Sequence, residues 1–149
     1  MRVLVIGATG MLGHKLVRHW KERFEVIGTV RRSLNSLGQD DPFAGIRLIG
    51  GINVENFATV EYVVRDLAPD VIVNAAGVIK QLPSSKNVIR TLTINSIFPH
   101  RLAALARESG AYLITVWTDC VFLGAKGNYS ESDPADALDL YGRSKQLGE

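Results

Sequence analysis

Five short apolar runs fall at residues 2–7, 24–30, 46–50, 70–76 and 111–117. They read RVLVIG, FEVIGTV, IRLIG, DVIVNAA and AYLITVW, rich in Val and Ile and apolar at successive rather than alternate positions. That pattern belongs to strands covered on both faces, so all five are expected to be buried in a parallel sheet. Helical patterns lie between them: MLGHKLVRHWKER, VENFATVEYVVRDL and a longer one near NVIRTLTINSIFPHRLAALARES. In the second, Phe57, Val60, Val63, Val64 and Leu67 recur at helical spacing and Pro69 supplies the stop. Pro99 either kinks the third or marks its true start. Strand–helix alternation with right-handed crossovers predicts a doubly wound α/β fold.

At 149 residues, 46% hydrophobic and 21% charged, the chain has the size and balance of one globular domain. A net charge of only +2, with both signs mixed along the sequence, calls for neither a nucleic acid nor an anionic membrane. The single cysteine, Cys120, excludes an internal disulfide framework and fits a reducing compartment. The apolar start is too short for a membrane span, is broken by glycines, and lacks the shape of a signal peptide. A cytoplasmic location is therefore expected.

Residues 31–45 and 119–139 carry the Gly, Pro, Asn, Asp and Ser of loops. They follow the second and fifth strands, on the sheet edge where open α/β folds bind ligands. On the same edge, VIGATGMLGHKL places Gly7, Gly10 and Gly13 between the first strand and the first helix. Glycines there permit a tight turn, close approach to a pyrophosphate and close helix–strand packing, while the helix N-terminus offers free amides. Gly7, Thr9, Gly10, Met11, Leu12 and Gly13 are thus the candidate cradle of a Rossmann-type NAD(P)-binding fold. The plain alternative is a structural strand–helix turn.

The spacing is GxxGxxG, and with it the chain resembles the extended short-chain dehydrogenases/reductases, whose first turn commonly reads GATGxxG. The resemblance continues along the sequence. Asn74, Ala75, Ala76 and Gly77 match that family's cofactor-lining segment. Asn95 falls where the family has a helix asparagine that supports the active site, Thr118 matches the catalytic Ser/Thr, and Tyr141 and Lys145 match the YxxxK pair. After Thr118, TDCVFLG, GNYSESD and LYGRSKQLGE are most similar to the dTDP-4-dehydrorhamnose reductase group, which reduces 4-keto nucleotide sugars. Related dehydratases have Thr-Asp-Glu where this chain has Thr118, Asp119 and Cys120, and a thiol replaces that carboxyl acid/base poorly. Epimerases use the same Ser/Thr–Tyr–Lys set and remain an alternative, as does a non-catalytic NADP-binding regulatory module.

Dinucleotide enzymes that prefer NAD usually carry an acidic residue after the second strand. Arg31 and Arg32 stand there instead and would attract a 2′-phosphate, which favours NADP(H) over NAD(H). The alternative is a pair of solvated arginines. Asn53, with Val54 beside it, follows the third strand where relatives often place an Asp near the adenine amine, and its carbonyl can accept the same bond.

His14, His19 and His100 are scattered with no ligand-spaced partners, so no metal site is expected. Cys120 reads as a loop residue rather than a nucleophile. Trp117 replaces a small polar residue of the family and by alternation should point away from Thr118 and fill the core.

The resemblance implies hydride transfer from a nicotinamide to a sugar ketone. Tyr141 would act as general acid, Lys145 would assist it and hold the nicotinamide ribose, and Thr118 would bond the same substrate oxygen. A homodimer is left open. LYGRSKQLGE opens a helix with no stop, so residues 1–149 are expected to be the dinucleotide-binding domain of a longer enzyme, with the substrate-binding domain lying elsewhere and the fragment inactive alone.

Overall fold

A computed structural model describes residues 1–34, 43–81 and 83–149. They form two compact units, Met1–Ala76 with Leu102–Thr115, and Gly77–Arg101 with Val116–Glu149.

The first unit holds β1 (Arg2–Ile6), α1 (Met11–Trp20), β2 (Glu25–Thr29), β3 (Arg47–Ile49), α2 (Phe57–Leu67), β4 (Val71–Asn74) and β5 (Tyr112–Thr115). The strands make one sheet in the order β3-β2-β1-β4-β5, every pair parallel. The order reverses between β1 and β4, the switch point at which such sheets bind ligands. The expected doubly wound sheet is what forms.

The central strands are buried on both faces. Val3, Val5, Val26 and Val73 join Val17 of α1 in one core cluster, while Leu4, Ile6, Ile27 and Ile72 alternate to the opposite face and are equally buried. Burial fails at the edge. In β5, Tyr112 is 81% and Ile114 48% exposed, and β3 is at best half-buried, so the expectation of five doubly covered strands holds for β1, β2 and β4 only. Apolar runs of equal length cannot tell a central strand from an edge one; the position in the sheet decides.

The helix expected from Val54 starts at Phe57, because Asn53–Asn56 form a turn in which Asn53 Oδ1 accepts from Glu55 N at 3.1 Å. It ends at Ala68, in the left-handed region at φ 43°, whose amide bonds the Val64 carbonyl before Pro69. Of the loop expected at 31–45, residues 35–42 lie outside the described residues.

In the second unit the third helical pattern is three segments: α3 (Val88–Leu92), a π-helical turn (Thr93–Ile97) and α4 (Phe98–Glu108), the last of which runs on into the first unit. Pro99 has no amide to give Asn95, and the ladder widens, with Phe98 N bonding Thr93 O. Pro99 thus marks the start of the last segment. A 3-10 turn (Asp119–Val121) and α5 (Leu140–Gln146) belong to the same unit. The intervening irregular stretch is tied back where Asp136 N and Ala137 N meet the Val121 carbonyl at 3.1 and 3.0 Å.

Candidate active site

At the switch point, Gly7 sits at φ +89°, which an L side chain rarely adopts, and a Cβ there would press on Ala75 and Ala76 at 3.1–3.2 Å. A Cβ on Gly13 would run into the Gly7 carbonyl. Gly10 is the N-cap of α1 without any side-chain cap, no acidic residue stands in the first turn, and Thr9, Met11 and Leu12 are exposed. An uncapped helix head behind a close backbone turn fits a pyrophosphate. The sequence reading missed Gly28 in β2, where a Cβ would lie 2.6 Å from the Ala8 Cβ; a glycine inside a Val/Ile strand is the available signal.

Beside this turn, buried Asn74 accepts from Ala76 N through Oδ1 at 3.2 Å, and Ala75 N bonds the Ile6 carbonyl at 3.0 Å. Those bonds fold the Asn74–Ala76 backbone against the turn. Arg31 and Arg32 leave the end of β2 and are exposed. Asn53 N donates to Thr59 Oγ1 at 3.0 Å, and one lone pair of Asn53 Oδ1 is taken by Glu55, leaving the other for a donor. Val54 is half-buried.

The second unit gathers the candidate proton-transfer residues. Asp139 caps α5 by accepting from Gly142 N at 3.0 Å. That bond, with Lys80 next, holds the Asp139 carboxyl below its usual range, and Asp139 raises Lys80 in turn across a 2.9 Å ion pair. A Cβ on Gly142 would collide with the Cys120 carbonyl, so the 3-10 turn and α5 pack backbone to side-chain-free backbone. Tyr141 and Lys145 are half-buried and one helical turn apart on one face. On the buried face Ser144, fully enclosed, donates to Tyr141 O at 2.7 Å and accepts from Asn95 Nδ2 at 3.0 Å. Asn95 also grips Val78, accepting from its N at 2.9 Å and donating to its O at 3.0 Å. Gly77, exposed, precedes that contact.

Thr118 is half-buried, and its Oγ1 accepts from Cys120 N at 3.2 Å as the cap of the 3-10 turn while pointing its hydrogen at Asp119 Oδ1, 3.4 Å away. Lys145 Nζ donates to the Val116 carbonyl at 3.2 Å, and burial lowers its pKa. Trp117 does not fill the core: it is half-buried, with its ring centroid 4.9 Å from Lys145 Nζ. Burial still alternates from Tyr112 to Trp117, past the end of β5 at Thr115, but the side it puts Trp117 on faces Lys145 rather than the core. Cys120 is exposed.

The RmlD substrate-binding domain profile matches residues 1–149. The spore coat polysaccharide biosynthesis protein SpsK of Bacillus subtilis is 32% identical over 151 residues, covering 99% of this chain and 47% of that protein. The dTDP-4-dehydrorhamnose reductase of Burkholderia thailandensis is 32% identical over 150 residues, covering 100% of this chain and 44% of that one. Methionine adenosyltransferase 2 subunit beta of Danio rerio is 31% identical over 150 residues, covering 99% and 42%. A crystal structure of a hypothetical dTDP-4-dehydrorhamnose reductase from Sulfolobus tokodaii superposes with a TM-score of 0.81 at 32% identity, covering 99% of this chain and 50% of that one. The chain spans about half the length of these relatives.

Proposed function

This chain belongs to the RmlD substrate-binding domain family, and from that membership we propose that it forms the dinucleotide-binding part of an NADPH-dependent reductase of a 4-keto nucleotide sugar, in deoxysugar or polysaccharide biosynthesis. The observation that carries the reading is α5, whose cap, buried serine and packed glycine fix Tyr141 and Lys145 on one face. Residues 1–149 are the dinucleotide-binding domain in this reading, the sugar nucleotide is recognised by a separate domain, and the site of action is the cytoplasm.

The bound nicotinamide supplies the hydride. The protein's own groups do the rest. Gly7, Thr9, Gly10, Met11, Leu12 and Gly13 hold the pyrophosphate, Arg31 and Arg32 attract the 2′-phosphate, Asn53 and Val54 border the adenine, and Asn74–Gly77 line the ring. Tyr141 Oη gives its proton to the oxygen of the reduced carbonyl. Lys145, one helical turn along α5, assists that transfer with its ammonium and would hold the nicotinamide ribose. Thr118 Oγ1 donates to the same substrate oxygen, turning its hydrogen away from Asp119. Asn95 acts from behind, through Ser144.

Two other readings have specific support. An epimerase would use the same Thr118, Tyr141 and Lys145, and the similarity to methionine adenosyltransferase 2 subunit beta, a subunit by its name, supports the non-catalytic NADP-binding regulatory module as a further reading. Retention of all three residues favours an enzyme over the non-catalytic module. The test is NADPH oxidation by the complete gene product with a dTDP-4-keto-6-deoxysugar, beside the Tyr141→Phe variant. Steady oxidation lost by at least about tenfold in Tyr141→Phe, with cofactor affinity kept, is expected, since general acid catalysis typically contributes 10²–10⁴-fold. Sugar isomerisation without net oxidation would establish the epimerase, and NADPH binding with no turnover the subunit.

A further inference from the structure

Lys145 is drawn from water far enough that burial disfavours its charge. Its ammonium therefore depends on contacts that favour the charged form, and the segment after β5 supplies two of them side by side. The Val116 carbonyl accepts from Nζ at 3.2 Å, and the Trp117 indole presents its ring 4.9 Å from the same nitrogen. An indole face attracts a cation through its quadrupole, most strongly where water is excluded. The ring is itself held. A Cβ on Gly148 would come within 3.1 Å of Trp117 Cη2 and would overrun the Asn95 carbonyl, the one that Pro99 leaves without its usual helical donor. The C-terminal end of α5 thus closes on the indole and the π-helical turn together.

We propose that Trp117 is a positioning residue for Lys145: its indole face holds the ammonium and, with the Val116 carbonyl, fixes where the charge sits before any dinucleotide binds. Other ionisable groups on the packed elements include Asp139, Tyr141 and Arg143 on α5 and its cap, Glu149 after Gly148, Asp119 and Cys120 on the 3-10 turn, and Arg101 and His100 on α4, the His100 ring meeting the Leu147 carbonyl at 2.8 Å. The consequence for catalysis rests on the reductase reading; the contact does not.

The test titrates Lys145 in the 149-residue chain, by NMR of lysine isotope-labelled at Cε, with the Lys145 signal identified by its loss in Lys145→Arg. Tryptophan is replaced by its mono- and trifluorinated analogues, which drain the ring face of electron density while keeping its shape, so folding is preserved. The Lys145 pKa is expected to fall stepwise along the series, by roughly half a unit to one unit in all. Trp20 is replaced as well, but it packs edge-on against Phe24 at 6.3 Å in the first unit. Trp117→Leu should move the pKa in the same direction, with Trp117→Phe between. A constant pKa across the fluorinated series, or a rise in Trp117→Leu, would show that the indole is only an apolar cover and overturn the proposal. Because no turnover is measured, failure of the reductase reading leaves this result standing.

Discussion

Asn95 and Ser144 lie 49 residues apart in sequence and are joined by a 3.0 Å hydrogen bond from Nδ2 to Oγ, both side chains buried. The asparagine amide spends its remaining capacity on the Val78 backbone, and the serine hydroxyl passes its own hydrogen to the Tyr141 carbonyl. Ser96, next to Asn95, donates to the Ser144 carbonyl at 2.7 Å. One amide therefore clamps the segment after β4, the π-helical turn and α5. Each buried polar atom in this chain of bonds has a partner, the condition under which such a network rigidifies rather than destabilises.

Removing the amide should cost more than removing the hydroxyl. Asn95→Ala strands the Val78 N–H and C=O, and each unsatisfied buried group costs about 1–3 kcal/mol. Ser144→Ala leaves Asn95 Nδ2 bonded to Val78 and should cost about 1 kcal/mol. Denaturant unfolding of the two variants compares them directly. A larger loss in Ser144→Ala would show that the hydroxyl, not the amide, is the centre of the clamp.

At the glycine turn, Gly13→Ala should be far more damaging than Gly10→Ala. The new methyl at Gly13 meets the Gly7 carbonyl, part of the backbone of the turn, whereas at Gly10 the nearest atom is that same carbonyl at 3.3 Å, a contact that a small shift relieves. Overpacking of this kind typically costs about 1–3 kcal/mol. Calorimetric titration with NADP(H) and thermal unfolding should both register it, and equal behaviour of the two variants would show that the turn has room to spare.

What the sequence disclosed and what it hid divide along physical lines. The glycine spacing, the Val/Ile runs and Pro69 act locally, within a turn or a few residues, so the sheet, the first helix and the end of α2 could be read directly. Asn95, Thr118, Tyr141 and Lys145 could be singled out by resemblance alone, whereas Ser144 could not, because its value comes from a partner 49 residues away. Trp117 is half-buried rather than part of the core, because its ring meets Lys145, a partner far along the chain that no local pattern encodes. The exposure of Tyr112 and Ile114 depends on where β5 falls in the sheet, which no local pattern encodes.

The cofactor preference should reside in two exposed guanidinium groups. Arg31 and Arg32 follow β2, on the sheet edge beside the glycine turn. Replacing both with Ala should remove most of the preference for NADP(H), because charged hydrogen bonds contribute about 1.5–3 kcal/mol. NAD(H) affinity should change little, since no 2′-phosphate is then at stake. Equal affinity of the unmutated chain for the two cofactors would remove the basis of the assignment.

Acid should loosen α5 through Asp139. Its carboxyl is held below the usual carboxylate range, first by the Gly142 amide and then by Lys80. A folded-state pKa below the unfolded one means that the stabilisation is fully present above the ordinary carboxylate pKa and is lost as the pH falls through the lowered value. Asp133 is lowered as well, chiefly by Lys126, so global acid unfolding mixes two sources and a local probe is needed. Hydrogen exchange at the Gly142 amide provides one. In the unmutated chain its protection should fall in that acid window. Asp139→Asn keeps a neutral acceptor at the cap and should keep protection through the same window, whereas Asp139→Ala should lose it at every pH, with about 1 kcal/mol of helix stability. Protection that still fell with acid in Asp139→Asn would place the switch on another group.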